Sequence, residues 1–447
     1  MKLYKPKYHY WFYTLFLYGI PFVISYYYAD WIPPALPFSA ILLVLAGLFV
    51  LGTKREDLNL RGFWRTWPKV LFTQMLLLLV FTSIYLTLVK ISLPVDTTTL
   101  PATPVLLTEP LKWGLYPWSL LLLVAMVLMI CRWEHDRYGL LSSAIDLSYK
   151  NGISPAAMNF FETPLSVTNY FAVIITASLI SISISILAGE WVGLPLSHGL
   201  QFTTFFVLFG IILLGSNRYI LKAFNTLHRL QIPLWLFVLI CCLGLSLCLS
   251  LVNSLFVWLE QVKVLTNIVD PRRLVHTTWH SSWFGFTWGY WLTIAMLAGS
   301  YFATVCRHLS RLATMVCLLL GPLLLLLLDI GLSQTDITVN INTLLATPNY
   351  CIITLLGSLS FFVIVSRFKE PIQLSRGFLI QGLPACTKSS PRFYKVFFAG
   401  ICMMTALLLL TGVLLTQVLL FVVAVPFLLF SLIGIIGLLR VQYGKQD

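Results

Sequence analysis

The sequence predicts an all-α polytopic membrane protein with twelve transmembrane helices. Three observations lead there. Of 447 residues, 59% are hydrophobic and only 10% charged, with a mean hydropathy of +0.89, a surplus of apolar side chains that no water-soluble core of this length needs. Apolar runs of about 18 residues or more recur along the chain without the period-two alternation of a membrane barrel, which leaves a helical bundle as the spanning architecture. The 29 Lys and Arg residues are unevenly divided: with both termini inside, only Lys90, Lys112, Lys263, Arg272 and Arg273 fall in outer segments. One missed helix would scramble that asymmetry. The formal net charge of +13 therefore concerns membrane topology, and no nucleic-acid partner is implied.

Hydropathy places the spans at 10–29, 36–52, 67–90, 112–132, 167–188, 199–216, 232–259, 281–306, 312–333, 350–366, 394–414 and 417–439. The first follows Lys2, Lys5 and Lys7 and ends in the bulky run YYYAD, so it reads as a retained helix and not as a cleaved signal peptide. The outer loop 91–111 is rich in Thr and Pro and is expected to be extended, while the inner loop 133–166 is polar enough to leave the membrane. The fifth span carries Thr176, Ser178, Ser181, Ser183 and Ser185. These hydroxyls either coordinate a cation or bond back to backbone carbonyls and neighbouring helices.

Outer segment 260–280 sets Glu260, Lys263, Asp270, Arg272, Arg273, His276 and His280 among apolar residues, as an amphipathic helix on the membrane surface does. His276 and His280 have the i, i+4 spacing of metal ligands but no carboxylate between them, and no metal or other cofactor is expected. The long inner loop 367–393 holds Arg367, Lys369, Arg376, Lys388 and Arg392, the pattern of headgroup-facing charge. Asp329 and Glu190 lie near span ends, as solvated carboxylates or ion-coupling groups. Nine scattered cysteines form no disulfide framework or zinc spacing. With no phosphate-binding glycine loop and no nucleophile-base-acid arrangement, nothing supports an enzyme.

The eighth span is the richest. In the stretch from Trp279 to Arg311, Trp283, Trp288, Tyr290 and Trp291 gather at one end and Arg307 and Arg311 close the other. Trp288 and Trp291 share nearly one face of a helix. Gly289, Ala295, Gly299 and Ala303 form a strip of small residues that admits a neighbouring helix closely. Aromatic residues also anchor helices at membrane interfaces without further function, so both readings stand at this point.

Two motifs narrow the choice. LKWGLYPWSLLLLVAMVLMICRWEHDRYGLLSSAID, from Leu111 to Asp146, resembles the fourth helix and following loop of the betaine/carnitine/choline transporter family, which opens approximately H-W-x-L-H-P-W. FTWGYW at 286–291, followed by Ala295, Gly299, Ala303 and Arg307, resembles that family's eighth helix, and SLVNSLFVWLEQV at 250–262 is similar to its seventh helix running into an outer amphipathic helix. The resemblance implies a LeuT-type fold: two extra helices over 1–66, inverted five-helix repeats over 67–259 and 281–447, and a connecting helix at 260–280. It implies a secondary transporter of glycine betaine, choline or carnitine, whose trimethylammonium group is best held by π faces. By motif match the substrate box comprises Trp113, Trp118 and Trp291, flanked by Trp288 and Tyr290. Trp113 and Trp118, five residues apart, point about 140° away from each other on an ideal helix, so both line one cavity only if it wraps around the helix or the helix is distorted. The resemblance also implies a bacterial inner membrane, cytoplasmic termini and a homotrimer.

The sequence departs from that family in places that matter. The family breaks its third helix with a glycine run, where this chain reads FTQMLLLLVFTSIY at 72–85 with no glycine between Gly62 and Gly114, so an unbroken helix is expected. Leu121 replaces a box tyrosine, Tyr290 and Ile294 replace tryptophans, and Met296 replaces a proline. In LSFFVIVSRF, Ile364 and Val365 occupy the positions that supply hydroxyls in sodium-coupled members. A hard cation needs several oxygens, so sodium coupling of that type is not expected. The short termini lack the charged tails of osmosensing members, and osmotic activation by such a tail is not expected either. Two alternatives remain beside the simple transporter: a transport-inactive scaffold acting as a structural or regulatory subunit with another membrane protein, or a carrier for a more apolar solute.

Overall fold

In the computed structural model the described residues are 42, 44–50, 60–92, 115–137, 141–149, 152–192, 278–333, 347–368 and 425–443, with isolated positions at 372, 375, 400, 403–405, 408, 420 and 423. All regular structure among them is helical. The helices are α1 (Leu60–Ser92), α2 (Leu115–Met129, prolonged by a π turn at Ile130–Glu134), α3 (Leu141–Leu147), α4 (Pro155–Val192), α5 (Thr278–Val305), α6 (Arg311–Ser333), α7 (Thr347–Arg367) and α8 (Val425–Tyr443). Among the described residues, α1, α2 with its π turn, α4 and α8 contain apolar stretches long enough to cross a membrane. The predicted spans at 10–29, 199–216 and 232–259 lie outside the described residues, and with them the count of twelve. The outer loop 91–111 and the inner loop 367–393 fall almost entirely outside them as well.

Two helices begin earlier than hydropathy places them. The third span was expected at 67–90, yet α1 starts at Leu60. Arg61, Arg65 and Lys69 face outward while Phe63, Thr66 and Val70 face inward, so helical periodicity continues beyond the stretch that hydropathy detects. The inner loop expected over 133–166 is corrected more strongly. Its second half is the first third of α4, and α3 sits before it. Asn159, Glu162, Thr163 and Ser166 depress the local hydropathy, but all four are buried. Ser154 caps α4 by accepting the Ala157 N–H at 3.2 Å, and Pro155 follows at the first helical position. Between α3 and α4, the Asp146 carboxylate accepts the Ile153 N–H at 2.7 Å and pairs with Arg137 at 3.4 Å. Gly152 has φ +69°, and a Cβ there would lie 2.8 Å from Asp146 Oδ1, so this turn takes glycine for both reasons.

The most extensive packing is between α1 and α7 and between α2 and α5. Each pair closes over a glycine. A Cβ on Gly299 of α5 would lie 2.5 Å from Val124 Cγ1 of α2, and one on Gly357 of α7 would lie 2.4 Å from Ser83 Cβ and 3.0 Å from the Leu79 carbonyl of α1. The small-residue strip on the eighth span thus receives α2, with Ala295 and Ala303 buried beside Gly299. Gln74 adds a bond from α1 to α6, donating Nε2–H to the Leu318 carbonyl at 2.7 Å.

At one end of the bundle Arg311 ties four segments together. Its guanidinium donates to both carboxylate oxygens of Glu134, through Nε to Oε1 at 2.8 Å and through Nη2 to Oε2. Nη1 donates to the Phe49 carbonyl at 2.6 Å and to Gln442 Oε1 at 3.3 Å. Tyr443 Oη donates to the Leu48 carbonyl. The π turn at the end of α2 is what sets Glu134 at this junction.

Gly357→Ala is expected to destabilise the fold by about 1–3 kcal/mol, because the α1 backbone opposite cannot yield as a flexible side chain does. Gly47→Ala, whose Cβ would meet nothing within 4 Å, is the control. Thermal unfolding in detergent checks both: the first variant melts at lower temperature and the second does not.

Candidate functional site

Of the five residues that the sequence nominates, Trp118, Tyr290 and Trp291 come together. Trp118 projects from the first turn of α2, and Tyr290 and Trp291 from the first half of α5, all essentially inaccessible to solvent. The Trp118 and Trp291 ring centroids are 5.6 Å apart, and Tyr290 and Trp291 lie 5.8 Å apart edge to face. Phe81 of α1 completes the cluster, 5.4 Å from Tyr290 and 5.5 Å from Trp291. These are distances of direct ring packing, so the four rings fill one another's faces in this conformation. Trp113 lies outside the described residues, as do the side chains of Trp288, Glu190, Asp329 and His280, and the whole of His276.

Phe81 was missed by motif matching. It lies in the stretch where the glycine run was looked for, and α1 passes there as a continuous helix. A signal was available: Phe81 and Tyr85 stand one helical turn apart and stack at 6.3 Å. Where glycines would expose backbone, this chain presents an aromatic ring.

The indole of Trp291 carries one unmet demand. Its Nε1–H is buried and finds no acceptor among the described residues, an arrangement that costs free energy until an acceptor arrives. The Tyr290 hydroxyl lies beside Thr176 of α4. Thr176 in turn borders a small cavity of about 20 Å³ between α1, α4, α5 and α7, lined also by Leu77, Val80, Phe361, Ile364 and Val365. That volume is room for roughly one water, and Thr176 supplies the only side-chain hydroxyl on its wall. Thr176 donates its proton to the Ala172 carbonyl at 2.7 Å.

The remaining hydroxyls of the fifth span do the same. Ser178, Ser181, Ser183 and Ser185 each donate to the carbonyl four residues back at 2.9 Å, the backbone-bonding alternative of the two that their spacing left open. Ser183 Oγ also accepts from Thr87 Oγ1 at 2.7 Å, and Thr87 lies 3.0 Å from the Tyr350 hydroxyl, which joins α1, α4 and α7. Near the other end of α7, Arg367 donates to Thr73 Oγ1 and, at 2.9 Å, to Tyr301 Oη. Its guanidinium stands over Phe72, 5.0 Å from the centroid.

The family model of the betaine/carnitine/choline family transporters matches residues 66–347, more than half of the chain. The chain belongs to that family. Comparison with the curated proteins finds no match. As a member, it is an integral membrane protein on a transporter scaffold and not on an enzyme's, and the family's solutes are of the betaine, carnitine and choline type. The matched stretch includes Trp118, Tyr290, Trp291 and Phe81, and it stops where α7 begins.

Phe81→Ala is expected to cost about 3–5 kcal/mol, the range for emptying a buried aromatic site. Loosening the packing around Trp118 and Trp291 should also shift the tryptophan emission, so a fluorescence-detected melt reports both. An unchanged melt and spectrum would show that the cluster is not packed in this way.

Proposed function

We propose that this chain is a secondary transporter of quaternary-ammonium or zwitterionic solutes of the betaine, choline and carnitine class, working by exchange or with a coupling ion other than sodium. The observation that carries the reading is Trp291. Its π face stands beside Trp118 and Tyr290, and its indole N–H lacks an acceptor among the described residues. A betaine-like solute has what both need, a trimethylammonium group for the ring faces and a carboxylate for the N–H. Because the rings pack against one another, a bound solute has to part Trp118 from Trp291. Trp113 and Trp288 are proposed to complete the box.

Against sodium stands the wall of the small cavity. Ile364 and Val365 offer it no oxygen, and Thr176 offers a single hydroxyl already committed to its own backbone. Sodium requires several oxygen ligands at once. The twelve-helix LeuT-type arrangement, with repeats over 67–259 and 281–447, belongs to the same proposal, as do cytoplasmic termini, a bacterial inner membrane and a homotrimer.

One observation favours a second reading. Unbroken α1, with Phe81 filling the aromatic cluster, suits a carrier of a more apolar solute or a scaffold that no longer transports and serves a membrane-protein partner.

The test is binding of labelled glycine betaine, choline and carnitine to the purified protein in detergent, in sodium and again in potassium. Saturable binding of one of them is expected, equal in both salts, and weaker by about tenfold (~1.4 kcal/mol) in Trp291→Leu. A folded protein that binds none of the three refutes the proposal.

A further inference from the structure

The junction of α3, α4 and α8 holds a carboxyl group outside the aromatic cluster. Glu162 of α4 is completely buried. Its oxygens accept from the Ser142 backbone N–H at 3.4 Å and from Ser166 Oγ at 3.3 Å, and the Ser142 hydroxyl lies beside it. All of these donors are neutral, and the measured bonds are long.

Among the described residues, charged groups on the surrounding elements are engaged elsewhere or face outward. Asp146 of α3 is paired with Arg137, Arg367 of α7 is bound to Thr73 and Tyr301, and Arg440 of α8 and Arg61, Arg65 and Lys69 of α1 are exposed. Among the described residues no cation pairs with Glu162. An ionised carboxylate sealed among neutral groups is costly enough that such a group takes up a proton instead.

Two further observations concern the polar groups near it. Ser143 Oγ on α3 and Asn169 Oδ1 on α4 are buried without hydrogen-bond partners among the described residues. On α4 itself, Glu162, Ser166, Asn169, Thr176 and Ser183 recur at steps of three, four and seven residues and so share one face. That polar stripe runs for roughly 30 Å, about the hydrocarbon thickness, past the small cavity and the Tyr290 hydroxyl. Over Glu162 lie α3, seven residues long, and α8, which packs on α3 through Gly434 and Gly437, where a Cβ would come 3.2 Å from Ala144 Cβ and 2.7 Å from Ser148 Cβ.

We propose that Glu162 is a proton-binding site linked to the opening of this junction: the carboxyl keeps its proton while α3 and α8 cover it and loses it when they move off α4. On release the O–H bond breaks, the carboxylate keeps the electron pair, and the proton passes to water. As the coupling site of a transporter, Glu162 rests on the reading under Proposed function; as a proton site it does not.

Infrared titration of the purified full-length protein tests the site. The carbonyl band of a protonated carboxyl is expected at neutral pH, absent in Glu162→Gln and displaced in Glu162→Asp. In proteoliposomes, labelled glycine betaine uptake is expected to rise several-fold under a pH gradient in the wild type. In Glu162→Gln the ratio of uptake with and without the gradient falls to one. If Glu162→Gln does not fold, the Glu162→Asp displacement decides. Absence of the band from the wild type, its persistence in Glu162→Gln, or an unchanged gradient ratio overturns the proposal. A protein that moves no solute while keeping the Glu162-dependent band refutes transport and sustains the proton site.

Discussion

Inside a bilayer an apolar side chain gains nothing by leaving lipid for a neighbouring helix, and the rest of this structure follows from that constraint. Association has to come from close packing and from polar groups that find partners within the protein. Both are visible. Gly299 and Gly357 bring α5 against α2 and α7 against α1 so closely that neither position has room for a methyl group. The hydroxyls of α4 bond back to their own helix, and the few that reach across, such as Ser183 to Thr87 and Thr87 to Tyr350, join three helices at one point.

The same economy shapes the candidate site. An aromatic cluster in lipid surroundings has no water to exclude, so its rings stay in contact until something outcompetes them. Phe81, Trp118, Tyr290 and Trp291 do so here. The Trp291 N–H, like that of Trp67, has no acceptor among the described residues. The neighbouring cavity is walled by apolar side chains apart from Thr176.

The two carboxylates on the side of the bundle where α2 stops and α4 starts are treated differently. Arg311 and Glu134 are paired through both carboxylate oxygens, with the Phe49 carbonyl and Gln442 accepting from Nη1, which is how a half-buried ion pair becomes a structural tie. Glu162 pairs with no cation among the described residues. Hydropathy hid it, because a window averaging Asn159, Glu162 and Thr163 reads as a loop, whereas their side chains turn inward from a continuous helix.

How much was legible depended on whether a property is summed along the chain or decided between segments. The apolar runs predict spans at 281–306, 312–333 and 350–366 that agree closely with α5, α6 and α7, since a helix in lipid satisfies its own backbone and its interior can be read locally. Family membership was legible too, because the Trp118 and Trp291 motifs survive in order. By itself, then, the sequence determined a helical membrane protein of this transporter family. Only the tertiary structure decided that Phe81 joins the tryptophans, that Ile364 and Val365 face a cavity, and that Glu162 is buried with no cation beside it among the described residues. Each of these depends on which helix lies opposite, and hydropathy and motif spacing carry no information about that.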